Sequence, residues 1–479
     1  MLKRGEIYEG INTLGALKQS GWKPRSVKEE MRANLLKALK NDEPLFPGII
    51  GYERSVIPAI ENAILSGHDM IFLGERGQAK TRLIRSLVNL LDEWLPVISG
   101  CEMNDDPYKP ICRSCKERLA KEGDNLPISW LHRDMRYGEK LATPDVSIAD
   151  IIGEIDPVKV AEGRYLADES VIHFGLIPRT NRGIFALNEL PDLAEKVQVS
   201  LFNIMEERDV QIKGFKVRLN LDVVIVASAN PEDYTHRGRI ITPLKDRFSS
   251  QIRTHYPTKS EVEIAIMEQE RKRIGEDFPE VFVPEFMKEV IAQITLEARC
   301  SPEVNQKSGV SVRMSIANYE NVISNARKRA LKLGEKKAVP RISDLFAVYP
   351  SSAGRLELEY SGEERDEKEV TEILIGRAVK TVFDKWFSVE ELKAVEDVFN
   401  DGAIMEVSYL TPSAEYMDAF VEIPELVSAA DKLRCNSDPQ EMASALEFVL
   451  EGLHLNKKLN KKEIEFKVTY QGKTSGLGL

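Results

Sequence analysis

The stretch of this chain richest in chemistry runs from residue 69 to residue 91, DMIFLGERGQAKTRLIRSLVNLL. Residues 70–73 are a short apolar run that reads as a buried strand. After residue 82, Leu83, Ile84, Leu87, Leu90 and Leu91 recur at helical spacing. Between them stand Gly74, Glu75, Arg76, Gly77, Gln78, Ala79, Lys80, Thr81 and Arg82. A strand, a glycine-containing loop, Lys-Thr and a helix are the parts of a phosphate-binding loop. Backbone N–H groups cradle the anion, the lysine reaches the outer phosphates and the hydroxyl holds Mg²⁺. The usual last glycine is Ala79, whose methyl is the smallest possible intrusion.

A second polar pair closes another apolar run. Residues 183–187 lead into Asn188 and Glu189, where nucleotide hydrolases place two acidic groups. One orders Mg²⁺ through water and the next polarises the attacking water. Asn188 is uncharged, and Glu189 stands where the base belongs. Just upstream of the loop, Ile49, Ile50 and Gly51 form a short turn suited to covering a nucleotide base, or a plain loop with buried isoleucines. Cys101, Cys112 and Cys115 contain one CxxC pair and make three thiols. Structural zinc takes four ligands, and His132 is the candidate to complete the set. The alternative is a group of unliganded thiols, and nothing nearby resembles a redox unit.

The elements that must hold these residues follow from periodicity. Apolar runs at 70–73, 184–187 and 223–228 are separated by helical patterns, which predicts a wound parallel sheet. Lys80, Glu189 and Asn230 then fall at the carboxyl ends of the strands, where such sheets bind ligands. Residues 27–39 and 56–65 read as helices, residues 137–182 as inserted β-hairpins, and residues 209–221 as a hairpin turning at 213–214. Beyond residue 257 the strand signal ends. Helices are expected at 261–274, 285–298, 312–333, 342–349, 367–387, 389–399, 413–421 and 439–453, then a Lys-rich tail ending in a disordered Gly/Ser stretch. The expected domains are an N-terminal arm (1–45), an α/β nucleotide-binding domain (46–256, with an insert at about 100–182), a helical lid (257–350) and a helical C-terminal region (351–479).

Composition narrows the function. With 479 residues, 42% hydrophobic and 30% charged, the chain is a multidomain globular protein. Its net charge of −11 argues against gripping nucleic acid through a basic surface. No apolar run approaches membrane-spanning length and no signal-peptide core opens the chain, so a cytoplasmic location away from membranes is expected. Five cysteines at uneven spacing do not make a secreted disulfide framework.

Taken together the motifs resemble those of the AAA+ ATPases, in the helix-2-insert branch that holds the magnesium-chelatase ATPase subunit and MoxR-like proteins. GERGQAKTR is similar to that branch's Walker A loop, GIFALNEL to its Walker B strand and ASANPED to its sensor-1 segment, carried by Asn230. TPLKDRF resembles the arginine-finger segment, giving Arg247, and GVSVRMSIAN the start of the sensor-2 helix, giving Arg313. The resemblance covers roughly residues 46–333 and departs from the pattern at Ala79 and Asn188. It implies ATP and Mg²⁺ as cofactors and a ring, usually of six subunits, with Arg247 of one subunit completing the next subunit's site. It also implies a separate partner carrying a von Willebrand A domain, into which metal is inserted or which is remodelled. The expected function is therefore an ATP-hydrolysing motor or chaperone. The alternative is an ATP-binding assembly scaffold that hydrolyses little, because Asn188 replaces the Walker B aspartate. An activator of the alternative sigma factor is disfavoured by the missing GAFTGA loop, and a nucleic-acid motor by the acidic balance.

Overall fold

The computed structural model describes residues 10–156, 158, 161, 171–207, 209–211, 218–230, 238–272, 279–306, 308–358, 366–435, 438–464 and 467–473. The chain divides into two compact units, Met1–His255 and Tyr256–Leu479.

In the first unit the strands are β1 (Met70–Leu73), β2 (Trp94–Ile98), β3 (Ile128–His132), β4 (Tyr137–Leu141), β5 (Gly153–Ile155), β6 (Ile172–Phe174), β7 (Gly183–Asn188), β8 (Asp209–Gln211), β9 (Arg218–Asn220), β10 (Val223–Ala229) and β11 (Ser250–Arg253). Five of them build a parallel sheet in the order β11-β1-β10-β7-β4. Met70 pairs with Val226 and Val223 with Gly183. Side chains alternate across the pleat. Met70, Phe72, Ile184, Ala186, Val224, Val226 and Ile252 pack on one face against the helices Val27–Lys40 and Val56–Leu65. Ile71, Phe185, Leu187, Val223, Ile225 and Ala227 pack on the other, against the helix Glu195–Glu207. Burial of both faces explains why the three central strands read as continuous apolar runs.

The edge strands were not legible in this way. β11 reads Ser-Gln-Ile-Arg and is missing from the sequence expectation. β4, expected within a hairpin insert, is instead the parallel strand on the opposite edge. Edge strands are partly exposed and carry polar side chains, so the apolar signal fails there. Two antiparallel hairpins do follow the expectation, β5 with β6 and β8 with β9. The turn expected at 213–214 lies outside the described residues. The helix Val27–Lys40 is fixed by a capping box between Ser26 and Glu29. It is tied down by a buried pair in which Arg136 donates to both Glu30 oxygens at 2.7 and 2.6 Å. The residues expected to form an N-terminal arm thus join the core of the first unit.

In the second unit the helices Glu285–Cys300, Val312–Leu333, Glu367–Trp386 and Pro439–Leu455 agree closely with the periodicity. Residues 342–348 form a 3₁₀ turn instead of an α-helix. The helices of residues 260–333 and those of residues 367–455 share one hydrophobic core, with Phe286 stacked on Phe448 at 4.5 Å between ring centres. The C-terminal region is not wholly helical. Ile404–Ser408, Asn460–Ile464 and Lys467–Gln471 form an antiparallel sheet that runs into the Lys-rich stretch. Its inward residues Val468 and Tyr470 alternate with outward polar ones, a weak two-residue period hidden by the lysines. The terminal residues 474–479 lie outside the described part. Among the described residues no helix is long and apolar enough to cross a membrane.

Candidate active site

The phosphate loop follows β1 and turns at Gly77 and Ala79, both left-handed at φ 75° and 55°. Ala79 therefore occupies a conformation that glycine adopts without penalty, and the helix Lys80–Ser86 begins directly after it. Gly74 is required for a different reason. A Cβ there would stand 1.9 Å from Thr254 Oγ1 and 2.2 Å from Gln78 Oε1. Gln78 braces the loop by accepting from the Glu75 N–H at 3.0 Å and from Thr254 Oγ1 at 2.6 Å.

The buried Lys80 ammonium is the centre of the site. It donates to the Gly74 and Glu75 carbonyls and, at 2.7 Å, to Asn230 Oδ1. Asn230 Nδ2 in turn donates to Glu189 Oε2 at 2.8 Å. One amide thus links the cation at the end of β1 with the carboxylate after β7, because β10, which carries it, lies between them in the sheet. Glu189 is left-handed at φ 56°, an uncommon conformation for a non-glycine residue and of the kind found at functional positions.

Asn188 does not stand idle. Its Oδ1 accepts from Ser228 Oγ at 3.2 Å, and its Nδ2 donates to Glu139 Oε1 at 2.6 Å. Glu139 lies on β4 and receives two further bonds from Arg85, at 2.8 and 3.0 Å. Burial alone would raise the Glu139 pKa, but the Arg85 guanidinium, Tyr137 and Asn188 outweigh it and hold the carboxyl below its usual range. The amide at 188 is therefore matched to a carboxylate on the neighbouring strand. An aspartate there would face Glu139 as a like charge. Glu139 escaped the sequence reading because it sits on the edge strand that periodicity missed.

Other expected residues are placed as follows. Thr81 is half-buried in the first turn after Lys80, and Arg76 and Arg82 are exposed. Ile49 is buried with Phe46 and Tyr52, while Ile50 and Gly51 are half-buried. Tyr52, not singled out from sequence, donates to the Gln78 and His255 carbonyls at 2.9 Å each and so ties this turn to the phosphate loop. Its pKa is pushed up to about 12, mainly by burial. Arg247 pairs with Glu206 and lies 5.3 Å over the Phe202 ring. Arg313 belongs to the second unit, exposed in the first turn of Val312–Leu333.

Cys101, Cys112 and Cys115 do converge, but His132 is not their fourth member. Its ring packs edge-on against Trp94 and its Nδ1 faces Asp134 at 3.2 Å. The group that joins the thiols is Asp105, and the four ligand atoms lie within 4.8 Å of one another. The Cys101 sulfur is the favoured thiolate, because the Cys112 and Cys115 thiols donate to it. Burial, with the neighbouring Cys101 charge, pushes Asp105 up to about 6.

A magnesium-chelatase subunit ChlI from Nostoc sp. is 26% identical over 320 residues, covering 63% of this chain and 81% of the relative. In sequence the chain is AAA+-like. Its relatives are of the magnesium-chelatase kind. A ChlI homolog from Methanocaldococcus jannaschii is 28% identical over 264 residues, 51% of this chain and 63% of the relative. The sequence profile of the Sigma-54 interaction domain matches residues 161–249 of this chain. Among solved structures, a complex of the BchI and BchD subunits of magnesium chelatase aligns over 68% of this chain and 98% of that one, at 17% identity and a TM-score of 0.35. The phosphate loop and its surroundings fit the nucleotide and Mg²⁺ this family binds. Gly74 leaves no room for a side chain, and Lys80 and Thr81 stand at the loop's exit.

Proposed function

We propose that this protein is a cytoplasmic ATP-hydrolysing AAA+ motor that assembles as a ring, usually of six subunits, and acts on a separate partner protein. The observation that carries the reading is the hydrogen-bonded line Lys80–Asn230–Glu189 across the carboxyl ends of three parallel strands. Mg²⁺, when bound through Thr81 and, by way of water, Asn188, would supply charge neutralisation at the phosphates. Lys80 exchanges the loop carbonyls for phosphate oxygens, and Asn230 then keeps Glu189 oriented to take a proton from water. Arg76, Arg82 and the loop amides add positive potential, and Ile49, Ile50 and Gly51 cover the base. Arg247, on a partly exposed face with Glu206, serves the neighbouring subunit's site, and Arg313 responds to the γ-phosphate. The relatives are named as subunits, which supports a separate partner, and a von Willebrand A domain protein that receives metal or is remodelled is the partner we propose.

Steady-state ATP hydrolysis tests this, alongside Glu189→Gln and Lys80→Ala, with assembly mass recorded with and without ATP. Wild type is expected to turn over ATP and to form rings with it. Glu189→Gln should lose about a hundredfold or more in kcat while still binding ATP, and Lys80→Ala should lose binding. The engagement of Asn188 by Ser228 and Glu139, in place of a second acid, favours one rival: a scaffold that binds ATP and assembles but hydrolyses little. Wild-type turnover no higher than that of Glu189→Gln, with ATP-driven assembly intact, would establish the scaffold instead.

A further inference from the structure

The first unit holds a constellation that nucleotide chemistry does not use. Residues 99–112 run between β2 and the helix Arg113–Glu122 with no regular secondary structure, yet Met103, Asp105 and Cys112 within them are buried. Stretches of this kind need a staple, since they bury few side chains to offset their ordering entropy. Cys101, Asp105, Cys112 and Cys115 point at one another from its two ends.

Three further observations concern ligands. Asp105 is fully buried, and its Oδ2 accepts from the Ile111 and Cys112 N–H groups at 3.2 and 3.0 Å, while Oδ1 has no hydrogen-bond partner among the described residues. A buried carboxylate oxygen without a donor is costly, and a cation is the partner that removes the cost. The Met103 N–H points at the Cys101 sulfur and the Cys115 N–H at the Cys112 sulfur, each at 3.4 Å. Such donors stabilise sulfur that carries negative charge. Finally, Cys112 caps the helix that carries Cys115, so the positive helix terminus adds to the same potential.

We infer that Cys101, Asp105, Cys112 and Cys115 form a closed, structural zinc site. Zinc is bonded at about 2.3 Å to sulfur and about 2.0–2.2 Å to carboxylate oxygen, so a tetrahedral set spaces its ligand atoms by roughly 3.8 Å or less. The present set, already within 4.8 Å, reaches that by small side-chain rotations. An iron–sulfur cluster would have to stand several iron atoms between the same ligands and does not fit. Binding one Zn²⁺ displaces the protons still on the thiols and on Asp105, with no change in oxidation state. Four protein ligands leave no open position, so the ion holds structure and performs no catalysis. What it holds is specific. From the stapled stretch, Tyr108 stacks on Trp22 and donates to its carbonyl. Asn104 donates to the Arg179 carbonyl, and the Met103 carbonyl accepts from Asn181, just before β7. The site thus fastens the N-terminal segment and the approach to Glu189 to the same loop.

The test uses the full chain purified under reducing conditions, with metal content measured by elemental analysis and native mass spectrometry. About one zinc per chain is expected. Cys101, Cys112 and Cys115 should resist a thiol reagent until a chelator is added, while the exposed Cys300 reacts at once. Replacement by Co²⁺ should give the sulfur-to-cobalt absorption of a tetrahedral thiolate site. Asp105→Asn should weaken zinc binding at least about tenfold, and His132→Ala should leave it unchanged. If a variant fails to fold, the thiol protection and cobalt spectrum of the wild type still decide. A chain without zinc, even after zinc is supplied, would overturn the inference. So would a disulfide among the three cysteines by intact mass, or zinc retained unchanged in Cys112→Ser.

Discussion

If Asn188 is matched to Glu139, restoring an aspartate at 188 should harm the protein. The substitution Asn188→Asp places a carboxylate oxygen where the amide nitrogen now lies 2.6 Å from Glu139. Two unit charges about 4 Å apart at an effective permittivity near 20 repel by about 4 kcal/mol. Glu139 keeps Arg85 beside it and is 21% exposed, which we take to reduce the repulsion to about 2 kcal/mol. The lost hydrogen bond adds about 1 kcal/mol, so a destabilisation of about 3 kcal/mol at pH 7 is expected, measured by denaturant unfolding of the first transition. The sign with pH is fixed. Like-charge repulsion raises the folded-state pKa of the pair above its unfolded value. The penalty is therefore small below the ordinary carboxylate range and grows as pH rises through the raised values. Adding Glu139→Gln should return most of the loss, because a glutamine amide can donate to the carboxylate introduced at position 188, and Arg85, 63% exposed, gives up little. The cycle should thus show a coupling of about 2–3 kcal/mol. An Asn188→Asp protein as stable as wild type and faster in ATP turnover would refute the matching. So would a double variant whose losses simply add.

Two further perturbations separate loop strain from surface electrostatics. Ala79→Gly removes the left-handed penalty at φ 55°, set against the extra backbone freedom of glycine in the unfolded chain, and should stabilise by up to about 1 kcal/mol in denaturant unfolding. In the second unit, Ser301 and Arg377 hold Glu303 down to about 2. A depressed folded-state pKa means its stabilisation is complete above the ordinary carboxylate pKa and is lost as pH falls toward 2, so Glu303→Gln should flatten the acid side of that unit's stability profile.

Much of the line Lys80–Asn230–Glu189 could be read from the chain alone because local chemistry dictates it. The phosphate loop is a contiguous run whose strand, turn and helix each carry their own signal. Glu189 and Asn230 follow strands buried on both faces, whose apolar runs are unmistakable. Helices such as Val312–Leu333 are equally local, being set by a 3.6-residue period and a serine cap. What sequence could not supply were pairings between distant segments at half-exposed positions. β4 and β11 look polar because they are sheet edges, so Glu139 and its bond to Asn188 stayed hidden. The same limit misassigned the fourth member of the thiol cluster. His132 has the right chemistry, but β3 turns it onto Trp94, whereas Asp105 reaches the thiols only because the loop folds back through its backbone bond to Ile98. Spacing along a chain specifies what a residue can do, and the long-range fold decides which partner it meets.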